Sequence, residues 1–205
     1  MKLPSLYTPS SPEEIIGSAG QIAVELQRAV KDALDNGNAP IKVIFAGDPG
    51  VGKSTLAKLL ITLLGVTSKW SVKKYSGKDI TVETVREIAA DLHYKDLFGA
   101  YRIIWIEEVD AASADGLTRF LMEIDDLPNA CALICTTNAK DGDMKKRFET
   151  RLKFYQVDHP EPHEIQALLT RFGISKRDAV QIATFACGNV RAALLDAERL
   201  LQAAA

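Results

Sequence analysis

The chain has 205 residues, of which 47% are hydrophobic and 25% are charged, and its formal net charge at pH 7 is −2. This hydrophobic content excludes a mainly disordered chain, and the length suits either one domain or one large domain with a smaller one. The balanced charge excludes a wholly basic coat for nucleic acid but leaves room for a local basic patch.

The first part of the chain is predicted to be an extended segment followed by one amphipathic helix. Residues 2–12 contain three prolines, which disfavour a regular element, so the order of this segment should depend on packing elsewhere. Apolar residues then recur at helical spacing between Ile22 and Ala33, and Asn36-Gly37 is a stop signal.

A glycine-rich loop lies between an apolar run, Ile41–Ala46, and a helix-like run at 55–64. Glycines let the backbone N–H groups surround phosphate oxygens, and the helix that follows directs its positive end at the same anion. The spacing Gly-x-x-x-x-Gly-Lys-Ser, with the correct flanks, predicts a nucleoside triphosphate site and not a plain strand-to-helix turn. The predicted nucleotide-binding residues of the loop are Gly47, Asp48, Pro49, Gly50, Val51, Gly52, Lys53, Ser54 and Thr55.

Strand and helix patterns alternate from this loop to residue 157. Strands are predicted at 69–75, 102–106, 131–136 and 154–157, and helices around 85–92 and 117–124. Such alternation favours a three-layer α/β fold with a parallel sheet. Prolines at 160 and 162 then break the chain, and the remainder has the pattern of three helices. We therefore predict an α/β nucleotide-binding core over residues 1–157 and a small all-helical domain over 158–205.

The cysteines and the hydrophobic pattern indicate in which cellular compartment the protein is expected. Cys131, Cys135 and Cys187 fall within apolar or helical patterns, which predicts buried, reduced thiols. A metal pair at Cys131 and Cys135 is not expected, because both belong to a strand-like run without a nearby histidine. We find no signal peptide and no apolar run that could span a bilayer, so we expect a cytoplasmic protein without a membrane partner.

Two consecutive carboxylates, Glu107 and Glu108, follow the apolar run at 102–106. Hydrolysis of a nucleotide needs one acid on the Mg²⁺ side and one that polarises water, and both can face the phosphate where a strand ends. The alternative is a solvated acidic strand end, which is the weaker interpretation after a phosphate-binding loop. Asn138 follows another buried strand, where its amide could orient the attacking water, although taken alone it reads as a turn residue.

The order of these motifs resembles the AAA+ ATPase superfamily and, within it, the clamp-loader ATPase subunits. The resemblance covers nearly the whole chain and implies an AAA+ core with a parallel sheet, followed by a helical lid. It also implies ATP and Mg²⁺ as ligands. The segments that carry it are Ile15-Ile16-Gly17, residues 75–80 with Val85-Arg86, residues 117–123, Thr136-Thr137-Asn138, Thr150-Arg151-Leu152 and Gly188-Asn189-Val190-Arg191.

The resemblance gives each matching residue an expected role. ATP and Mg²⁺ would be held by Lys53 and Ser54, with Glu107 on the metal side and Ile16 in the nucleotide-binding set. The catalytic set would be Lys53, Glu108, Asn138, Arg151 and Arg191. Within it, Glu108 would polarise water, Asn138 would sense the γ-phosphate, and Arg191 would reach the nucleotide from the lid.

Arg151 would act on the ATP of a neighbouring subunit as an arginine finger, which requires assembly. The competing candidate for this role is Arg147, and the alternative for Arg151 is a solvated basic surface. The lysines at 69, 73, 74 and 78 either face DNA or lie on a solvated strand edge.

Three departures from the clamp-loader pattern stand out. Glu107 replaces the usual aspartate, Thr150 and Leu152 replace serine and cysteine, and the chain stops where a helical collar would begin. The expected function is an ATP-hydrolysing AAA+ module of DNA replication that binds other AAA+ subunits, DNA and a sliding clamp. The alternatives are a helicase loader, a DNA-bound regulator of transposition or transcription, a small-molecule kinase, and a non-catalytic scaffold that binds ATP to set its shape.

Overall fold

The computed structural model of the protein describes residues 7–92, 101–125, 127–139 and 142–203. The described residues form two compact units, and the chain passes between them more than once. The nucleotide unit contains residues 7–24, 48–59 and 157–203, whereas the sheet unit contains the described residues of 25–47 and 60–156. The domain boundary between residues 157 and 158 stays a prediction.

Apart from one additional helix between the last two strands, helices and strands follow the order that the sequence predicts. The elements are α1 (Gly17–Asp35), β1 (Ile41–Ala46), α2 (Lys53–Leu63), β2 (Val72–Ser76), α3 (Val82–Leu92), β3 (Arg102–Glu107), α4 (Ala114–Glu123), β4 (Cys131–Thr137), α5 (Gly142–Glu149), β5 (Lys153–Gln156), α6 (Pro162–Arg171), α7 (Lys176–Ala186) and α8 (Val190–Ala203). Short 3₁₀ turns occur at Pro12–Glu14, Lys69–Ser71, Gly77–Asp79 and Val109–Ala111.

The strands of the described residues form one five-stranded sheet in the order β2-β3-β4-β1-β5. Every neighbouring pair is parallel, so the carboxyl ends of all strands lie at the same edge. β4 lies between β1 and β3, and its register places Thr137 beside Ala46 and Cys135 beside Ile106. The predicted α/β fold with a parallel sheet is therefore confirmed.

Both faces of the sheet are buried. On one face, Ile44, Ile106 and Leu133 pack with apolar residues of α3 and α4 in a single cluster. On the other face, alternate residues such as Phe45 and Trp105 are also buried, at 0% and 5% exposure. Burial on both sides explains why the three central strands, β1, β3 and β4, read as nearly continuous apolar runs.

The C-terminal helices α6, α7 and α8 pack around their own apolar cluster, as the sequence predicts. The N-terminal segment packs on these helices through Tyr7, whose ring meets Phe172 edge to face at 6.1 Å between centroids. The Tyr7 hydroxyl donates to the carbonyl oxygen of Glu14, and burial raises the pKa of Tyr7 to about 12. Within residues 7–12, packing of Tyr7 on the C-terminal helices agrees with the expectation that contacts elsewhere order this segment, and residues 2–6 lie outside the described residues.

Two local expectations were wrong, and one helix was not predicted. The strand predicted at 69–75 starts three residues later, because Lys69–Ser71 form a 3₁₀ turn that Ser68 caps. Helix α5 was missed because its short, polar sequence has only two apolar residues, Met144 and Phe148. Cys187 is exposed, since it ends α7 in a left-handed conformation, whereas Cys131 and Cys135 are buried. None of the helices in the described residues is long and apolar enough to cross a membrane.

Candidate active site

The phosphate-binding loop connects the carboxyl end of β1 to the start of α2. Its first residue, Gly47, donates its N–H to the carbonyl oxygen of Thr137 at 3.2 Å, so the loop starts beside the end of β4. From Asp48 onward, the loop belongs to the nucleotide unit.

Gly50 is required in this loop for two reasons. Its φ of +87° is strained for other residues, and a Cβ here would overlap the side-chain oxygen of Asn189. The same Asn189 oxygen accepts the N–H of Ala192 at 3.0 Å and so caps α8. The loop therefore packs directly against the first turn of α8, which carries Arg191.

Lys53 and Ser54 are the first two residues of α2. Lys53 is only 8% exposed, and its Nζ donates to the carbonyl oxygen of Asp48 at 2.8 Å. The carboxylate of Asp48 in turn lies 2.8 Å from Nε2 of His159. A bent glycine backbone, a buried lysine and a helix N-terminus together fit a polyphosphate. Because phosphate oxygens are stronger acceptors than a carbonyl, a bound nucleotide would draw the Lys53 ammonium away from Asp48.

Ile16 lies against the apolar cluster of the C-terminal helices. The next residue, Gly17, fixes this position by donating its N–H to Oε1 of Glu164 at 3.0 Å. All predicted nucleotide-binding residues except Gly47 belong to the nucleotide unit, and Arg191 is among them. Their individual roles stay predictions.

The acidic pair closes β3 with an unusual backbone turn. Glu107 ends the strand, and Glu108 adopts φ 53° and ψ 53°, a left-handed conformation that costs a non-glycine residue about 1–3 kcal/mol. The Glu108 N–H donates to the hydroxyl oxygen of Thr136 at 3.2 Å. The side-chain amide of Asn138 lies 3.4 Å from Oε1 of Glu108 and donates to it. The structure thus brings Glu108 and Asn138 together at the carboxyl edge of the sheet.

Glu107 has a cationic neighbour on the adjacent strand. Nζ of Lys74 lies 2.9 Å from the Glu107 carboxylate and 4.2 Å from the centroid of the Trp105 ring. Lys73 forms an ion pair with Asp91. Two lysines of the basic segment thus form ion pairs within the sheet unit, and a DNA-facing role of this segment stays a prediction.

No group of three or more metal-ligating side chains occurs among the described residues. A Mg²⁺ ion near Glu107 would therefore need further ligands, for which the Ser54 hydroxyl and the phosphate oxygens of the nucleotide are chemically suited. Ser54 and Glu107 belong to different units, and their joint role in metal binding stays a prediction.

Arg151 does not join the Glu108 and Asn138 group. It precedes β5, whose residue Lys153 pairs with Val43, so Arg151 lies at the amino edge of the sheet. The six residues of β1 separate the two edges by about 20 Å. The Arg151 guanidinium makes an ion pair with Asp125 at 3.0 Å. Arg147 forms no ion pair with the described residues.

Several contact residues were not identified from the sequence. Asp110 bonds the segment that contains Asn138, Gly77 packs on Glu108, and Asn189 and His159 contact the phosphate-binding loop. Gly77 and Asn189 lie in segments that carry the family resemblance, which gave them no role, and Asp110 belongs to a cluster of acids at 107, 108 and 110. The other contacts join residues far apart in the chain, which local patterns do not reveal.

Comparison with known proteins decides the family. A family model described as the ATPase family associated with various cellular activities (AAA) matches residues 43–155, which include the loop, the acidic pair and Asn138. The chain belongs to this family. The predictions of an AAA+ ATPase and of a nucleotide-binding protein are thereby confirmed at the level of the family, whereas the clamp-loader subtype is not. No curated protein matches the chain.

Solved structures of the same fold come from Thermotoga maritima. The RuvB Holliday junction branch migration motor superposes with a TM-score of 0.74 at 19% identity, covering 95% of this chain and 65% of that one. A point mutant of RuvB gives 0.78 at 20% identity with the same coverage. At such identity the likeness shows the fold alone. This AAA chain spans about 65% of the length of these structures.

We predict that Gly77→Ala damages ATP hydrolysis through Glu108. A Cβ at Gly77 would overlap the backbone carbonyl of Glu108, so the strained turn must move. Because misplacing a catalytic group by about 1 Å can cost roughly 100-fold in rate, kcat should fall at least about 10-fold. The matched control is Gly142→Ala, where a Cβ meets nothing within 4 Å. Equal kcat in the two folded variants would contradict the prediction.

Proposed function

We propose that this chain hydrolyses ATP as one subunit of an AAA+ assembly that acts on DNA. The observation that best supports hydrolysis, beyond nucleotide binding, is the contact between Asn138 and Glu108 at 3.4 Å. An acid that activates water and an amide that orients it are the two groups that such a reaction requires.

The roles of the individual residues follow from their chemistry. Backbone N–H groups of the loop and the Lys53 ammonium would bind the β- and γ-phosphates, while Arg191 would reach the nucleotide from the first turn of α8. Glu108 would accept a proton from the attacking water, and Asn138 would hold that water in line. Bound Mg²⁺, held by Ser54 and Glu107, would neutralise negative charge on the phosphates.

Arg151 would complete the site of a neighbouring subunit. Its position at the amino edge, opposite the edge of Glu108 and Asn138 in the same sheet, favours action on another chain over action on its own. The partners are therefore other AAA+ subunits. The ion pair with Asp125 would have to open, or turn with the guanidinium, when Arg151 meets a nucleotide.

The favoured DNA-linked role is that of a clamp-loader subunit. Support comes from the resemblance in the α4 sequence, in Thr136-Thr137-Asn138 and in Gly188-Asn189-Val190-Arg191. The partners would then be a sliding clamp and primed DNA. The second candidate is a motor that acts on branched DNA, favoured by the fold shared with a branch migration motor.

We predict that two substitutions separate binding from hydrolysis. Lys53→Ala should weaken ATP binding by at least about 10-fold, because it removes the buried cation of the loop. Glu108→Gln should leave binding within about threefold but lower kcat by about 100-fold or more, since the amide is a far weaker base. Binding is measured with a fluorescent ATP analogue, and turnover by steady-state phosphate release.

The matched controls are Lys31→Ala and Glu87→Gln, which change exposed side chains that belong neither to the loop nor to the acidic pair. Unchanged hydrolysis in Glu108→Gln would contradict the catalytic assignment. Stoichiometric transfer to an acceptor in place of phosphate release would indicate a kinase. Binding without turnover, with all partners present, would indicate a scaffold.

We predict that Arg151→Ala and Lys53→Ala subunits complement each other when mixed. Each is inactive alone, but a mixed interface pairs an intact loop with an intact arginine. Phosphate release should therefore pass through a maximum as the mixing ratio is varied. Arg147→Ala subunits serve as the control and should be active without mixing. Absence of a maximum at every ratio would contradict a shared site.

We predict that a sliding clamp with primed DNA stimulates phosphate release at least about fivefold, because partners that favour closed subunit interfaces would complete the shared sites. A four-way DNA junction and a replicative helicase are tested in parallel at equal concentration. Stimulation by the junction alone would replace the clamp-loader role with that of a branched-DNA motor. Stimulation by the helicase alone would indicate a helicase loader.

A further inference from the structure

Asp110 bonds the turn that contains Asn138. Its Oδ1 accepts a hydrogen bond from the Thr137 hydroxyl at 2.7 Å and another from the Asn138 backbone N–H at 3.3 Å. Thr137 is fully buried, and its hydroxyl oxygen also accepts the N–H of Ala139 at 3.0 Å. One carboxylate oxygen thus holds the Thr137 side chain and the Asn138 backbone directly, and the Ala139 backbone through the Thr137 hydroxyl, at the carboxyl end of β4.

Asp110 is itself placed by the turn at Glu108. The left-handed Glu108 leads into the 3₁₀ turn Val109–Ala111, in which the Ala111 N–H donates to the Glu108 carbonyl oxygen at 2.8 Å. Val109 is fully buried in the apolar cluster beneath the sheet edge and anchors this turn. The carboxylate of Asp110 therefore has little freedom to follow a displaced Asn138.

Covalent bonds and hydrogen bonds together link Glu108, Asp110 and Asn138 in a closed circuit of contacts. Covalent bonds join Glu108 to Asp110, a hydrogen bond joins Asp110 to the Asn138 backbone, and the Asn138 amide donates to Glu108 at 3.4 Å. The last bond is long, so a small displacement of the Asn138 backbone would break it. The bonds to Asp110 are charge-assisted, and such bonds are roughly twice as strong as neutral ones.

We infer that Asp110 is a positioning residue for ATP hydrolysis, which holds Asn138 so that its side-chain amide reaches Glu108 and the attacking water. This inference rests on the proposed ATPase role of Glu108 and Asn138. Asp110 acts through Asn138, because its Oδ1 is bonded to the Thr137 hydroxyl and the Asn138 N–H.

The first test measures backbone hydrogen exchange of Asn138 by NMR in the full chain. Asp110→Ala removes the acceptor, so exchange at the Asn138 amide should become at least about 10-fold faster, whereas Asp115→Ala, an exposed acid in the first turn of α4, should leave it unchanged. Unchanged exchange in Asp110→Ala would overturn the inference. This readout does not depend on hydrolysis, so it stands even if the proposed function fails.

The second test measures steady-state ATP hydrolysis in the assembled protein. Asp110→Ala should lower kcat by about 30-fold or more with KM for ATP within about threefold, and Asp110→Asn, which keeps an acceptor oxygen, should recover most of the loss. In an Asn138→Ala background, Asp110→Ala should lower kcat less than twofold further.

Two results would overturn the inference. One is a lower unfolding midpoint for Asp110→Ala with unchanged kcat, which indicates a purely structural role. The other is an equal loss of kcat with and without Asn138, which indicates that Asp110 acts independently. If Glu108→Gln and Asn138→Ala both leave kcat unchanged, the proposed function fails. The exchange measurement then still tests whether Asp110 holds the Asn138 backbone.

Discussion

The arrangement of Glu107, Glu108 and Asn138 at the carboxyl edge of the sheet depends on one backbone constraint, the left-handed turn at Glu108. A strained residue between β3 and α4 persists only because its surroundings fix it. Gly77 leaves room for the Glu108 carbonyl, buried Val109 anchors the next residue, and the hydroxyl of Thr136 accepts the Glu108 N–H. The turn directs one carboxylate toward Asn138 while leaving Glu107 at the end of the strand beside Lys74.

In the nucleotide unit, close packing between two segments positions the polar groups. Close packing of Gly50 on Asn189 ties the phosphate-binding loop to the cap of α8, the helix that carries Arg191. A nucleotide that moves the loop would therefore act on this helix directly. Such a contact gives a physical route by which binding of ATP could change the position of Arg191.

Local patterns in the sequence predicted much of the fold and part of the site. The loop at 47–54, the apolar run of β1 and the acidic pair after β3 are each encoded by neighbouring residues, so spacing and periodicity were sufficient. Asp110, Gly77 and Asn189 were not predicted, because their roles come from contacts between distant segments. The exposure of Cys187 was missed for a different reason, since it follows the last residue of α7 in a left-handed conformation that the helical pattern does not reveal.

The most direct test of the account is an experimental structure of the assembled protein with Mg²⁺ and a non-hydrolysable ATP analogue. We predict that a water molecule in line with the γ-phosphate lies within hydrogen-bond distance of the Glu108 carboxylate and of the Asn138 amide. A Glu108 carboxylate turned away from the γ-phosphate, with no water between them, would contradict it.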